Sequence, residues 1–402
     1  MNTSLEHSRT KILKTLLTLI FVLALTVAAV NANDPILTWA PETNGAYDYG
    51  TVPVGQTVSQ LFTLTNNGGS ASAALTVSIS GSPMFTVTSD ACSATSLGPG
   101  KSCDVVVQFD ATNSGQLTAT LTANGRKELA TASITLIGTG AARRHVYWTN
   151  STYPGTIGRA DLDGQNANQS FITGVSIPIG IAVNSTHIYW ANFNTSSIGR
   201  ADRDGQNVNQ SFITGGANSS GVAIDGSHIY WANVNSGTIG RADLDGQNVN
   251  QNFITGLYFP NSVAVDGSHI YWANSLQGGR ENTTIGRADL DGQNVNQSFI
   301  TSARPYGVVV DGSHIYWANQ PYWAYQPDDA IGRADLDGQN VNESFITGPS
   351  SPYGVAVDGS HVYWTNSNGT IGRADLDGQN VNQSFITGGS DAFAFGLAVD
   401  PE

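Results

Sequence analysis

The sequence predicts an all-β protein in which a β-sandwich precedes a six-bladed β-propeller. The main observation is a segment that occurs six times after residue 144, at intervals of 41 to 47 residues, with one histidine marking each copy: His145, His187, His228, His269, His314 and His361. A fixed period near forty residues is typical of solenoids and propellers. Each copy also contains four short strand-like runs, which favours propeller blades.

The N-terminus predicts a signal peptide over residues 1–32 of the 402-residue chain. Arg9, Lys11 and Lys14 precede an apolar run from Leu16 to Val30, and small residues stand just before residue 33. This run is short for a membrane span, although an uncleaved N-terminal anchor is the alternative. We therefore expect a secreted, periplasmic or cell-surface protein with no membrane span after cleavage.

The chain is acidic, with a formal charge of −14 overall. Residues 33–402 hold 14 Lys and Arg against 30 Asp and Glu, a charge of −16. Such a surface repels nucleic acid and anionic lipid, so we expect no nucleic-acid partner, and we expect a monomer without a cofactor. In an exported chain, the short spacing of the two cysteines, Cys92 and Cys103, predicts a disulfide.

Residues 33–140 predict the β-sandwich. Alternating runs such as Leu61–Thr65 and Val105–Phe109 are separated by turn signals such as Gly98-Pro99-Gly100. Four stretches resemble the choice-of-anchor D (ASPM/SPD-2/hydin-like) domains: Tyr49–Gly55, Leu64–Gly68, Cys92–Cys103 and Ile137–Gly140. The resemblance implies an immunoglobulin-like sandwich that serves as a spacer or adhesion module. We expect residues 141–144 to be a linker.

The four runs of each copy predict the order of strands in a blade. Gly-Val-Ala-Val-Asp is small and apolar, which suits an innermost strand near the axis. His-Ile-Tyr-Trp-Ala-Asn has large residues on both faces, so we expect both faces to be buried between neighbouring sheets. Ile-Gly-Arg-Ala-Asp-Leu and Gln-Ser-Phe-Ile-Thr are the third and outer runs. The Asp-Gly-Ser-His and Asp-Gly-Gln-Asn segments between runs predict hairpin turns.

The phase of the repeats predicts a closed ring over residues 145–402. The repeat region begins with a second run, His145–Trp148, and stops after a first run, Phe395–Asp400. In a ring, these segments complete one blade by a 3+1 strand exchange, with three strands from the front and one from the tail. Closure of this kind removes exposed sheet edges.

The copies resemble low-density lipoprotein receptor class B (YWTD) repeats. The residues that carry the resemblance are Tyr189-Trp190-Ala191-Asn192, Ile198–Asp202 and Pro260–Asp266, and the pattern covers residues 145–402. It implies a six-bladed propeller that binds proteins. The last position of the tetrad is Asn in every copy, and the third is Thr only at Thr149 and Thr365. Because Asn hydrogen bonds without a charge, we expect the turn contacts to survive.

Variation between the copies predicts where function lies. The strands and Asp-Gly hairpins barely change, whereas the connections from run two to run three and from run four to the next run one vary. Both connections emerge at one face, here called the variable-loop face, as expected for binding loops on a fixed scaffold. The candidate binding residues are aromatic anchors and polar partners: Tyr258, Phe259, Arg280, Arg304, Tyr306, Tyr322, Trp323, Tyr325, Asp328, Asp329, Tyr353, Phe393 and Phe395. The alternative is that the rings only fill the channel mouth.

The sequence lacks the common catalytic motifs, and its candidate metal ligands favour turns over metal sites. No nucleophile elbow, zinc-protease or phosphate-loop motif occurs, and the six repeated histidines are too far apart to share a metal ion. The Asp-x-Asp-Gly turns offer weak Ca²⁺ candidates at Asp161, Asp163, Asp202 and Asp204, but without a late bidentate Glu they favour plain hairpin turns.

The sequence therefore predicts a non-catalytic binding or adhesion protein that recognises a protein or a glycan. Two alternatives belong to other classes. One is a propeller enzyme of lyase or sugar-active type, and the other is a Ca²⁺-stabilised structural surface protein.

Overall fold

The computed structural model describes residues 34–125, 130–274, 283–301, 305–319, 329–387 and 394–401. The chain divides into two compact units, Met1–Arg143 and Arg144–Glu402. All the regular secondary structure in these ranges consists of β-strands, so the all-β prediction is confirmed. Over the same ranges, no helix is long and apolar enough to cross a membrane.

The N-terminal unit contains two four-stranded sheets. One has the strand order β1-β3-β6-β5 and the other β2-β8-β7-β4. All neighbouring strands are antiparallel except β2 and β8, which are parallel. The strands are β1 (Leu37–Ala40), β2 (Ala46–Pro53), β3 (Thr57–Asn66), β4 (Thr76–Gly81), β5 (Phe85–Asp90), β6 (Ser102–Asp110), β7 (Gly115–Asn124) and β8 (Thr131–Ala141).

Alternate residues of these strands form one core between the two sheets. Phe62 and Val107 from one sheet and Leu121 and Ile134 from the other are fully buried, while their sequence neighbours face outward. This is the period-2 pattern expected of a sandwich. Cys92 and Cys103 form a disulfide with a Cα–Cα distance of 5.2 Å, which confirms the predicted pairing.

The C-terminal unit contains six four-stranded sheets, called blades 1 to 6 below. Blade 1 contains β9 (His145–Asn150), β10 (Gly155–Asp161), β11 (Asn168–Val175) and β32 (Ala394–Val399). Blade 2 contains β12 (Pro178–Val183), β13 (His187–Asn192), β14 (Ser197–Asp202) and β15 (Asn209–Ile213). Blade 3 contains β16 (Ser219–Ile224), β17 (His228–Asn233), β18 (Thr238–Asp243) and β19 (Asn250–Ile254).

The other three blades repeat this arrangement. Blade 4 contains β20 (Pro260–Val265), β21 (His269–Asn274), β22 (Thr284–Asp289) and β23 (Asn296–Ile300). Blade 5 contains β24 (Pro305–Val310), β25 (His314–Asn319), β26 (Ala330–Asp335) and β27 (Asn342–Thr347). Blade 6 contains β28 (Pro352–Val357), β29 (His361–Asn366), β30 (Ile371–Asp375) and β31 (Asn382–Ile386).

The Tyr-Trp pair of each second strand joins neighbouring blades. Tyr189 of blade 2 shares a core with Trp231 of blade 3, and Tyr363 of blade 6 shares one with Trp148 of blade 1. The side chains of all six pairs are fully buried. Adjacent residues of a strand point to opposite faces, so each strand contributes to two different cores. The predicted burial of both faces is confirmed.

An arginine of the third strand packs on a phenylalanine of the outer strand of its own blade, and in four blades it also hydrogen bonds to the next blade. The Arg373 guanidinium lies 4.1 Å from the ring centroid of Phe385, and its Nη1 donates to the carbonyl of Leu162 in blade 1 at 3.4 Å. All six blades have this cation–π contact, at 4.0 to 4.1 Å. Contacts of this kind stabilise by about 0.5–1 kcal/mol at exposed sites and more when desolvated.

The strand near the C-terminus completes blade 1. β32 pairs antiparallel with β9, with Val399 opposite Val146, although the two strands are far apart in sequence. The inner strands β12, β16, β20, β24, β28 and β32 contact one another in ring order, and β32 also contacts β12. A Cβ atom at Gly396 would overlap the carbonyl of Ile179, so the inner strands are close-packed at this point.

The strand register places the two kinds of connection at opposite ends of a blade. In blade 2, Val183 pairs with Ile188 and His187 with Asp202, beside the two hairpins. Asn192 pairs with both Pro178 and Ser197 at the other end, where the variable connections lie. The first end is called the hairpin face below, and the second is the variable-loop face.

Candidate binding face

The inner strands surround an axial cavity of about 210 Å³. Its walls are glycine, alanine, valine and other apolar residues, together with Ser262. Among the described residues that line it, none carries an ionisable side chain. Acid–base chemistry requires a positioned titratable group. These walls therefore offer backbone polar groups and small apolar side chains, and no proton donor or acceptor from a titratable side chain.

The mouth of this cavity is asymmetric at the variable-loop face. The second residue of each inner strand stands just before the residues that line the cavity, and three of these six residues are aromatic: Tyr306, Tyr353 and Phe395. Their ring centroids are 5.1 Å apart for Tyr306–Tyr353 and 4.4 Å apart for Tyr353–Phe395. We call these three residues the aromatic half-ring. The other three positions hold Ile179, Ser220 and Asn261.

The aromatic half-ring is half-buried, because its rings pack against one another at adjacent blades. Burial, and then the nearby Tyr353, raise the pKa of the Tyr306 hydroxyl to about 12. This phenol therefore stays protonated at neutral pH and keeps its hydrogen-bond donor. Both sequence interpretations, filling the mouth and offering an aromatic surface, agree with this placement.

Further aromatic residues are exposed on the variable connections. Tyr258 is 55% exposed and Phe259 38% exposed in the connection between β19 and β20. Tyr153, in the connection between β9 and β10, is 77% exposed, and it was not among the residues predicted from the sequence. The signal that would have found it is an aromatic residue in a connection that differs between copies.

Asp329 is oriented by a neighbouring connection. Its Oδ2 accepts a hydrogen bond from the backbone N–H of Ser351 at 2.8 Å. Its Oδ1 is buried and has no hydrogen-bond partner among the described residues. Ser351 has a φ of 44°, a conformation that costs energy for a non-glycine residue, so this bond stabilises a strained turn. Asp329 therefore positions the connection that leads to Tyr353.

Seven predicted site residues lie outside the described residues: Arg280, Arg304, Tyr322, Trp323, Tyr325, Asp328 and Phe393. They stay predictions from the sequence alone.

The asparagine of each Tyr-Trp-x-Asn tetrad hydrogen bonds to segments that lie next to the variable connections. Asn192 Nδ2 donates to the carbonyl of Gln210 at 2.9 Å and to the hydroxyl of Ser197 at 3.3 Å. Its Oδ1 accepts from the backbone N–H of Ser176 at 3.1 Å. One side chain thus links three segments of the chain, and the expected survival of the turn contacts is confirmed. The variable connections therefore stand on a hydrogen-bonded base.

Histidine and carboxylate groups meet at the opposite, hairpin face. Asp225 Oδ1 accepts from the backbone N–H groups of Ser227 and His228 at 2.6 Å, and its Oδ2 accepts from the Tyr230 hydroxyl at 2.9 Å. Burial acts to raise the pKa of Asp225, but these donors and the charge of His228 outweigh it and lower the pKa below its usual value. Blades 4, 5 and 6 repeat the Asp–His–Tyr arrangement. The cluster closes a turn, and it lies away from the aromatic half-ring.

The predicted Asp-x-Asp-Gly hairpin turns are confirmed, and their carboxylates bond within the turns. Asp161 Oδ2 accepts from Asn166 Nδ2 at 2.8 Å, and Asp163 Oδ1 accepts from the Gln165 backbone at 2.9 Å. The equivalent Asp202 and Asp204 do the same in blade 2. In the described part of the chain, no three His, Cys, Asp or Glu side chains converge as a cation site requires.

Comparison with protein families identifies the repeat. The model for low-density lipoprotein receptor repeat class B matches residues 227–266, which include the Tyr-Trp-Ala-Asn tetrad of blade 3. Residues 227–266 are thus similar to a class B repeat, and they lie within the six sheets of the propeller. The model for Cep192 domain 4 matches residues 43–141, in agreement with an immunoglobulin-like N-terminal unit. No match to this chain was found among curated proteins.

Several solved structures share a general likeness with this chain. A quinonprotein alcohol dehydrogenase-like protein from Bacteroides thetaiotaomicron is 14% identical, with a TM-score of 0.39 over 88% of this chain and 97% of that one. Virginiamycin B lyase from Staphylococcus aureus is 16% identical, with a TM-score of 0.41 over 59% of this chain and 83% of the lyase. A streptogramin B lyase is also 16% identical, with a TM-score of 0.40 over 62% and 75% of the two chains.

Proposed function

We propose that this chain is an exported, non-catalytic binding protein whose variable-loop face recognises a protein or a glycan. The observation that carries the proposal is the exposure of Tyr153, Tyr258 and Phe259 on connections that differ between otherwise repeated blades. Large aromatic side chains on a rigid support are frequent anchors of binding interfaces. The immunoglobulin-like unit then serves as a spacer or adhesion module.

The described connections of the variable-loop face are mostly uncharged. In the described connections of this face, Asp329 is the one acidic or basic residue, and its Oδ2 accepts a hydrogen bond from Ser351. The other polar residues there are Ser, Thr and Asn, beside Tyr and Phe. Aromatic anchors combined with small, adaptable hydrogen-bonding residues also characterise antibody paratopes. These described connections would therefore contribute aromatic burial and neutral hydrogen bonds to the binding of a partner.

The arrangement of titratable groups supports a binding role over an enzymatic one. The histidines of the repeats lie at the hairpin face, and the described cavity lining carries no ionisable side chain. An enzyme of lyase or sugar-active type needs an acid or base beside its substrate. Turnover by the full chain that is abolished in Asp329→Asn would favour the enzyme instead.

A pull-down with the immobilised full chain tests the proposal. The variant Tyr153→Ala/Tyr258→Ala/Phe259→Ala removes the exposed anchors, and we expect it to lose at least tenfold in the amount of partner retained from the native environment. The matched control is Val249→Ser, which changes a 44% exposed apolar residue in the β18–β19 hairpin and should retain the partner.

Treatment of the captured material distinguishes the two partner classes. Protease destroys a protein partner, whereas periodate oxidation destroys a glycan. Equal retention by the wild type and the triple variant, with both chains folded, would remove the variable-loop face as the binding surface. The sequence-based candidate Trp323→Ala is a second, independent substitution for the same assay.

A further inference from the structure

Three residues that break the repeat pattern converge on one strand. The third tetrad position is Thr149 in blade 1 and Thr365 in blade 6, but alanine in the other four copies. The residue after the third strand is Arg203 in blade 2, but leucine in the other five copies. All three side chains contact β32 or Asp400, the residue that follows it. Departures scattered at random over six blades have no reason to meet at one element.

The two threonines hold β32 from both sides. Thr149 Oγ1 accepts from the backbone N–H of Gly396 at 2.8 Å and donates to the carbonyl of Ile179 at 2.8 Å. Thr365 Oγ1 donates to the carbonyl of Phe395 at 3.0 Å and accepts from the backbone N–H of Gly354 at 2.8 Å. Each hydroxyl bridges β32 to a neighbouring inner strand, and both threonines are fully buried. Alanine at these positions forms no such bridge.

Arg203 holds the C-terminal end of the same strand. Its guanidinium pairs with Oδ2 of Asp400, a carboxylate that is only 2% exposed. The same Oδ2 accepts from the backbone N–H of His145 at 2.9 Å, and the carbonyl of Asp400 accepts from Arg144 Nη2 at 2.8 Å. Burial acts to lower the pKa of Arg203, but the charge of Asp400 and then contact with Tyr147 outweigh it and raise the pKa above its usual value.

Asp400 takes the place of a turn that blade 1 lacks. In blade 3, Asp225 accepts from the backbone N–H of His228, three residues further on, and a continuous hairpin joins the inner strand to the second strand. Asp400 makes the equivalent bond to His145 across 255 residues. β32 is therefore paired with β9 without the covalent turn that the other inner strands have. Loss of that tether lowers the cost of opening the strand locally.

We propose that Thr149, Thr365 and the Arg203–Asp400 pair form a clasp that keeps β32 in the ring and thereby holds Phe395 in the aromatic half-ring. The clasp compensates for the missing hairpin with hydrogen bonds on both sides of the strand and a buried ion pair at its end. Its effect on ligand binding rests on the proposed function, whereas its effect on β32 does not.

Hydrogen–deuterium exchange of the full chain tests the clasp without any ligand. The variant Arg203→Leu/Thr149→Ala/Thr365→Ala places at each position the residue that most other copies carry. We expect amide exchange in residues 394–399 to become at least tenfold faster, with no change in β16 and β17 of blade 3. Glu343→Gln is the control, since it also restores the common residue but lies exposed on the outer strand of blade 5.

Protection of blade 3 shows whether a variant is still folded, so general unfolding is not mistaken for opening of the clasp. Arg203→Lys, which retains the charge, should keep exchange of residues 394–399 closer to that of the wild type than Arg203→Leu does. Exchange of these amides within twofold of the Glu343→Gln control in the triple variant would overturn the proposal. Faster exchange with unchanged partner retention would instead keep the clasp and separate it from the binding face.

Discussion

The glycine of each third strand leaves no room for a side chain beside the tryptophan of the second strand. Gly240→Ala in blade 3 is the sharpest test of this packing. A Cβ atom there would lie 2.5 Å from Cζ2 of Trp231 and nearer still to Cε2 and Nε1. Ordinary contact begins at 3.4 Å, so the indole would have to move by about 1 Å. Trp231 is completely buried, and its Nε1 donates to Oε1 of Gln251 at 2.9 Å.

The expected cost follows from these contacts. Overpacking a core costs about 1–3 kcal/mol, and loss of the Trp231–Gln251 hydrogen bond adds about 1 kcal/mol. The sum, about 2–4 kcal/mol, corresponds to a decrease of roughly 5–15 °C in the melting temperature of a unit of this size. Gly226→Ala, in the turn of the same blade, is the matched control, because a Cβ atom added there would meet no neighbour within 4 Å and its φ is not positive.

Thermal unfolding followed by tryptophan fluorescence measures the difference. Seven of the eight tryptophans follow residue 144, so the signal reports chiefly on the propeller. We expect a large decrease for Gly240→Ala and a change within about 2 °C for Gly226→Ala. Equal melting temperatures for the two variants would refute the view that close packing against the indole selects glycine at this position.

Two further predictions concern the disulfide and the buried tyrosines. Cys92→Ser/Cys103→Ser should lower the free energy of unfolding of the N-terminal unit in urea by about 2–3 kcal/mol, because the short loop loses its cross-link. The unfolding transition of the propeller, which contains no cysteine, should stay unchanged. An unchanged N-terminal transition would contradict this expectation. The pKa of Tyr147 and that of Tyr306 are both raised by burial from 10.0 to about 12, so the folded chain binds more protons than the unfolded chain between those values. The urea midpoint of the propeller should therefore fall from pH 10 to pH 12, and a midpoint that rises over this window would exclude the assigned shifts.

Local pattern made much of the fold predictable. The alternation in His-Ile-Tyr-Trp-Ala-Asn encodes burial of both faces, and the Asp-Gly segments encode hairpins, because both depend on residues close in sequence. The disulfide followed from the presence of a single cysteine pair. The burial pattern and the hairpins follow from short-range geometry, and the disulfide follows from the cysteine pair in a chain expected to be exported.

Tertiary contacts limited the prediction of the site. Asp329 was a candidate anchor because of its loop position, but its Oδ2 is directed to Ser351 in another connection. The Arg203–Asp400 pair joins residues 197 positions apart, and no local pattern indicates it. Tyr306, Tyr353 and Phe395 were assigned to one face, whereas their mutual packing depends on the order of the blades around the axis.

The placement of the Tyr-Trp pairs means that no blade contains a complete hydrophobic core of its own. Tyr189 packs in one core with Trp231 of the next blade, and the adjacent Trp190 packs in another core with Tyr147 of the previous blade. A single copy cut from the chain would present two bare apolar surfaces and would have nothing to bury them against. One blade alone is therefore not an autonomous folding unit in this half of the protein, and gain or loss of one copy must be accommodated by the interfaces of the circle.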